Sequence, residues 1–102
     1  MKYESGSWQV VGAAGFSASD TSYTSLAIDS SDTPYVAYKD SADDRKATVM
    51  KYESGSWRTV GQAGFSADEA NFLSLAVGSA GTPYVAYSDA ANGEKATVMR
   101  FK

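Results

Sequence analysis

The chain repeats itself at a fixed spacing of 49 residues, and no other feature constrains its fold so tightly. Residues 1–8 (MKYESGSW) recur unchanged at 50–57, 14–18 (AGFSA) at 63–67, 33–38 (TPYVAY) at 82–87 and 46–50 (KATVM) at 95–99. Aligned without gaps, 31 of the 49 positions are identical, which points to a recent duplication or a constructed sequence. Residues 99–102 begin a third copy. The chain therefore reads as a cut piece of a periodic array, excised from a longer repeat protein, with the cut inside a structural element.

Each copy reads as all-β. Tyr, Val, Thr, Ser and Ala are abundant, helix-period stretches are missing, and alternation broken by turn signals recurs instead. Four strands per copy are expected. Strand A spans 25–29. A turn over 30–33 leads to Pro34, which opens strand B at 35–40; proline is tolerated at the first position of a strand. Asp32 and its counterpart Gly81 both tolerate the positive φ of a tight turn. Strand C spans 47–53, and Asn92-Gly93 in the second copy signals a short hairpin between B and C. Ser54-Gly55-Ser56 turns C into strand D at 57–60, and a long connection over 61–71 reaches the next strand A.

Four antiparallel strands in about 40–50 residues is the blade arithmetic of a β-propeller. Strand B is apolar on both faces, Tyr35 and Ala37 on one and Val36 and Tyr38 on the other, as suits a sheet packed between two neighbouring sheets. Strand A carries small residues, Ser25 and Ala27, fit for a crowded inner end. The expected organisation is a strand D at 7–11, a complete blade at 25–60, and strands A, B and C at 74–102.

The segment LAVGSAGTPYVAYSDAANGEKATVMRF resembles a blade of NHL-type and related bacterial propeller repeats. The first copy matches with Ile28, Asp29, Tyr35, Val36, Ala37 and Asp40, and departs at Asp32, where a glycine is expected. The second copy has that glycine, Gly81, but carries Gly78 in place of the aspartate. The resemblance covers strands A, B and C of each copy. It implies a propeller, leans to six blades, and points to a bacterial parent, with secretion of that parent left open; it carries little about activity, because propellers host many functions.

Two blades cannot close a ring alone. The first D strand and the last C strand complement each other, so the expectation is a head-to-tail homo-oligomer in which Trp8, Val10 and Val11 of one copy pair with Val98, Arg100 and Phe101 of the next. A homotrimer with six blades is favoured over a homotetramer with eight. Residues 1–4 and 99–102 hold equivalent positions and compete for one stretch of strand C. The C-terminal copy is expected to win, leaving the first residues displaced or poorly ordered.

Composition removes most chemistry. The chain has no Cys and no His, so thiolate chemistry, Cys-ligated zinc and the usual proton shuttle are out. A net charge of −3 argues against nucleic acid as partner. No apolar run approaches the ~18 residues of a membrane span, and no secretory signal opens the sequence. Asp40, Asp43 and Asp44 cluster in one B–C turn, without the spacing of a calcium loop, and read as a solvated turn. No cofactor, metal or catalytic residue is expected, and a hydrolase would need singly placed acid–base groups in a chain that repeats nearly everything.

The remaining candidates lie on loops that a propeller gathers on one face. They are Phe16, Asp20, Asp43, Asp44, Phe65, Glu69 and Glu94, with Asp68 beside them. Phe16 and Phe65 either face a ligand or plug their loop onto the blade. Trp8, Trp57, Tyr3, Tyr52 and Phe101 either stack on sugar rings or fill the space between blades. The leading expectation is a non-enzymatic module that self-assembles into a closed propeller and serves as a binding scaffold. The alternative is a carbohydrate-binding propeller lectin with one weak glycan site per blade.

Overall fold

The computed structural model describes all 102 residues. It is all-β, with nine strands in antiparallel sheets. β1 (Lys2–Glu4) and β2 (Ser7–Gln9) form an N-terminal hairpin. β3 (Thr21–Ile28), β4 (Pro34–Asp40), β5 (Lys46–Glu53) and β6 (Ser56–Thr59) form a four-stranded sheet in chain order. β7 (Ala70–Val77), β8 (Pro83–Asp89) and β9 (Lys95–Arg100) form a three-stranded sheet in which β9 is an edge.

The two sheets pack face to face. Tyr35, Ala37, Ala47 and Val49 of the first sheet meet Ala70, Leu73, Leu75, Val85 and Tyr87 of the second in one buried cluster. The alternation along β4 and β8 sets which side chains take part. The first sheet offers the face of Tyr35 and Ala37, whereas the second offers the face of Val85 and Tyr87. Those faces are opposite, because Tyr35 corresponds to Tyr84, not Val85. The two sheets are thus stacked in the same sense, like successive pages. The strands β3 and β7 lie closest, tied by a hydrogen bond from Leu75 N–H to Ser25 Oγ at 3.1 Å.

Local chemistry fixes the strand ends. Asp40 Oδ1 accepts from Ala42 N–H at 3.0 Å while Oδ2 accepts from Thr48 Oγ1 at 2.8 Å, so one buried carboxylate caps the turn after β4 and grips β5. Asp89 repeats this with Ala91 N–H at 3.0 Å and Thr97 Oγ1 at 2.7 Å, and adds Asn92 Nδ2 at 2.9 Å. The connections between these strands are therefore 3₁₀ turns over Ser41–Asp43 and Ala90–Asn92, longer than the short hairpin expected from Asn92-Gly93. An aspartate that captures the next turn's N–H favours the longer loop.

Two further expectations are corrected. Strands β3 and β7 begin four residues earlier than strand A was placed, because a bulge between Ser22 and Ser25, and between Asn71 and Ser74, interrupts the alternation. The N-terminal outer strand ends at Gln9 instead of residue 11, and β6 at Thr59 instead of Val60. In the single chain, where no neighbouring strand competes, the first residues form a hairpin of their own. Lys2–Glu4 pair with Ser7–Gln9 across a Ser5-Gly6 turn, both residues at positive φ (54° and 84°), because the same local signal closes β5 onto β6.

Candidate interaction surface

Only 15 of the 102 residues are buried, so much of the apolar surface that two stacked sheets generate stays in water. The distribution of that surface follows the repeat. Leu75 is buried at 7% exposure, but its counterpart Leu26 is 61% exposed. Val49 is 3% exposed, and its counterpart Val98 is 66% exposed. Ile28, Tyr84 and Phe101 are exposed as well. The first sheet's open face, with Leu26, Ile28 and Val36, is therefore the same surface that the second sheet has already covered. The second sheet's open face, with Tyr84, Ala86 and Val98, is the same surface that the first sheet has already covered. Each open face has its complement elsewhere on the molecule.

A cleft of about 940 Å³ separates the open face of the first sheet from the N-terminal hairpin and its following loop. Leu26, Ile28 and Val36 line one wall, and Val10, Val11 and Phe16 the other. Phe16 does not sit loose at the loop tip. It stacks on Trp57 with ring centroids 4.1 Å apart, and Trp57 Nε1 donates to the Val11 carbonyl at 3.0 Å. Gly12 is required beneath these rings: at φ 73° a Cβ there would come within 2.7 Å of Tyr52 and 2.9 Å of Trp57.

The second copy of that loop is bound more fully, because β5 lies beside it. Val60 N–H donates to Val49 O and Phe65 N–H to Ala47 O, each at 2.8 Å. Gly64 N–H donates to Thr48 Oγ1 at 2.8 Å, and Ala47 N–H to Ser66 Oγ at 3.0 Å. Val11, Phe16, Gly15 and Ser17 occupy the equivalent loop positions, and Val98, Ala96 and Thr97 the equivalent strand positions on β9. Trp8, Val10, Val98 and Phe101 are all more than half exposed or close to it, and Arg100 ends β9 on its free edge.

The acidic candidates meet at one end of the sheets. Ser41 N–H donates to Asp20 O at 3.3 Å and Ala90 N–H to Glu69 O at 3.2 Å, which joins the long loops to the 3₁₀ turns. Glu69 is engaged: its carboxylate meets Lys39 Nζ at 2.6 Å, and that hydrogen bond holds its pKa below the usual range. Asp43 is pushed the other way by its hydrogen bond to Asp40, then by desolvation and the Asp40 charge. Asp44 and Glu94 are at positive φ, 56° and 64°, and the Glu94 backbone carbonyl accepts from Ser88 Oγ at 3.1 Å. No three acidic side chains converge in a geometry that would hold a metal ion.

Two residues escaped the sequence reading. Tyr23 and Phe72 sit in the bulges at φ 53° and 52°, exposed and 4.6 Å apart between ring centroids. Lys39, which bonds Asn71 at 2.7 Å, lies 5.7 Å from the Tyr23 ring. The signal was available as an aromatic at the same repeat position in both copies, preceded by polar residues. Comparison with protein families, with curated proteins and with solved structures finds no match to this chain.

Proposed function

We propose that this protein is a non-enzymatic repeat module that assembles head to tail into a closed β-propeller, the β3–β6 sheet forming one blade within the chain and β7–β9 completed to a second four-stranded blade by β2 of the next copy. The observation that carries this reading is the pairing of the open faces: each is the 49-residue counterpart of a face already buried inside the chain. The operator that stacks the second sheet on the first, applied again, seats the second sheet of one copy on the first sheet of the next, in the cleft beside β2. Such a contact is heterologous, and heterologous contacts that repeat by rotation close into rings.

Magnitudes favour closure over a simple pair. Burying the exposed part of Leu26, Ile28, Val98 and Phe101, each a little over half exposed, stabilises by about 1–2 kcal/mol each. Association costs about 4–15 kcal/mol in lost freedom. One interface is thus near break-even, whereas in a ring every chain makes two. Three copies give six blades and four give eight; the NHL-like resemblance supports three.

Sedimentation of Leu26→Asp against the unaltered chain tests this. The variant is expected to keep its fold, because Leu26 is exposed, and to stay a single chain at concentrations where the unaltered protein assembles. Assembly of the variant at the unaltered concentration would remove the open face from the account.

The exposed Tyr23–Phe72 pair, flanked by the polar Lys39, Glu69 and Asn71, supports glycan binding as a second reading. Aromatic faces beside hydrogen-bonding groups suit a sugar ring. A glycan array binding the unaltered protein but not Tyr23→Ala is the expected result; an empty array contradicts it.

A further inference from the structure

The indole of Trp57 has a seat within the chain. It stacks on Phe16 with planes 10° apart, donates to the Val11 carbonyl, closes over Gly12, and leans on Tyr52 with centroids 5.5 Å apart. Each member of that seat has a counterpart 49 residues on: Phe65, Val60, Gly61 and Phe101. These are assembled in the same way. Phe101 lies over Gly61 as Tyr52 lies over Gly12, 2.7 Å from where a Cβ would be in both cases. Val60, Phe65 and Phe101 line an open socket of about 120 Å³ together with Pro83 and Val85.

The chain also carries an indole without a seat. Trp8, the counterpart of Trp57, is 65% exposed and has only the edge of Tyr3 beside it among aromatic rings, 5.5 Å away. We propose that the socket lined by Val60, Phe65 and Phe101 receives Trp8 of a second copy of this chain. The inference rests on the head-to-tail reading above and names its anchor.

The fit follows from the seat already occupied. Trp8 Nε1–H donates to the Val60 carbonyl, and its ring stacks on Phe65. Phe101 takes the place that Tyr3 holds beside Trp8 in the lone chain. The register agrees: Tyr3 pairs with Trp8 as Tyr52 pairs with Trp57, and Phe101 is the next member of that series. Forming the contact therefore moves Lys2–Glu4 off β2. A buried tryptophan in a fitted pocket is the kind of residue on which binding energy concentrates. The indole brings a single polar atom, and the Val60 carbonyl satisfies it. A small apolar ligand could enter the same socket, but only an indole reproduces every partner that Trp57 has.

Sedimentation and native mass measurement on the unaltered chain, Trp8→Ala and Trp8→Phe test the proposal. Trp8 is exposed, so circular dichroism and melting of the single chain are expected to be unchanged. Trp8→Ala is expected to raise the concentration for half-assembly at least about tenfold. Trp8→Phe, which keeps the stack and loses the donor, is expected to fall between. Equal assembly of Trp8→Ala and the unaltered chain would overturn the socket while leaving the ring intact. An unaltered chain that stays single at every concentration would overturn both.

Discussion

Asp43 and Asn92 occupy the same repeat position and solve the same local problem differently. Asn92 donates to the Asp89 carboxylate, whereas Asp43 faces Asp40 with a second carboxyl. The raised pKa of Asp43 means that the native turn disfavours its charge. Asp43→Asn should therefore raise the melting temperature at pH 7, and the gain should vanish as pH falls through the folded pKa of Asp43; a lower melting temperature would contradict this. Asp29, Glu69 and Asp89 behave oppositely. Their pKa values are lowered, Asp29 by the Thr33 N–H, Glu69 by Lys39 and Asp89 by Thr97. Their contribution is complete above the unfolded value of about 4 and is lost as pH falls through the folded values. Thermal melts from pH 7 to 2 should show a steepening loss below about pH 4. At this scale the sequence told the residue types but not the partners: nothing in the order of residues says that Asp40 turns inward to Thr48 while Asp43 and Asp44 stay near solvent.

The hairpin β1–β2 is an element with two uses. Its residues copy those of β5–β6, so it closes locally, yet the edge of β2 that β1 occupies is the edge that β9 of a neighbour would need. Deleting residues 1–4 should lower the concentration for half-assembly; a higher one would mean that β1 supports the assembly. The existence and order of β2–β9, though not of β1, and the Asp32 and Gly81 turns, at φ 64° and 83°, were legible from alternation and turn residues. The bulges at Tyr23 and Phe72 were not, because a positive φ at an aromatic contradicts local preference and is set by the packing around it. The 3₁₀ turns were misread for a related reason: the capping aspartates act through a side chain, outside the dipeptide signal of Asn92-Gly93.

Across the whole molecule, equivalent residues live in unequal surroundings. Leu75→Ala should cost about 2–5 kcal/mol of folding stability. Leu26→Ala should leave the single chain within about 0.5 kcal/mol, and should weaken assembly instead. Denaturant melts at low protein concentration would separate the two; equal losses would mean that the faces are not distinguished as described. The repeat made this asymmetry expected in kind. Which face of each sheet is covered could not be read from alternation alone, since strand B is apolar on both sides. In the proposed assembly the open faces are filled by further copies of the same chain. Native mass spectrometry decides the matter: a closed species of three times 10.8 kDa is expected, and a 10.8 kDa species alone across the accessible concentration range would overturn the proposal.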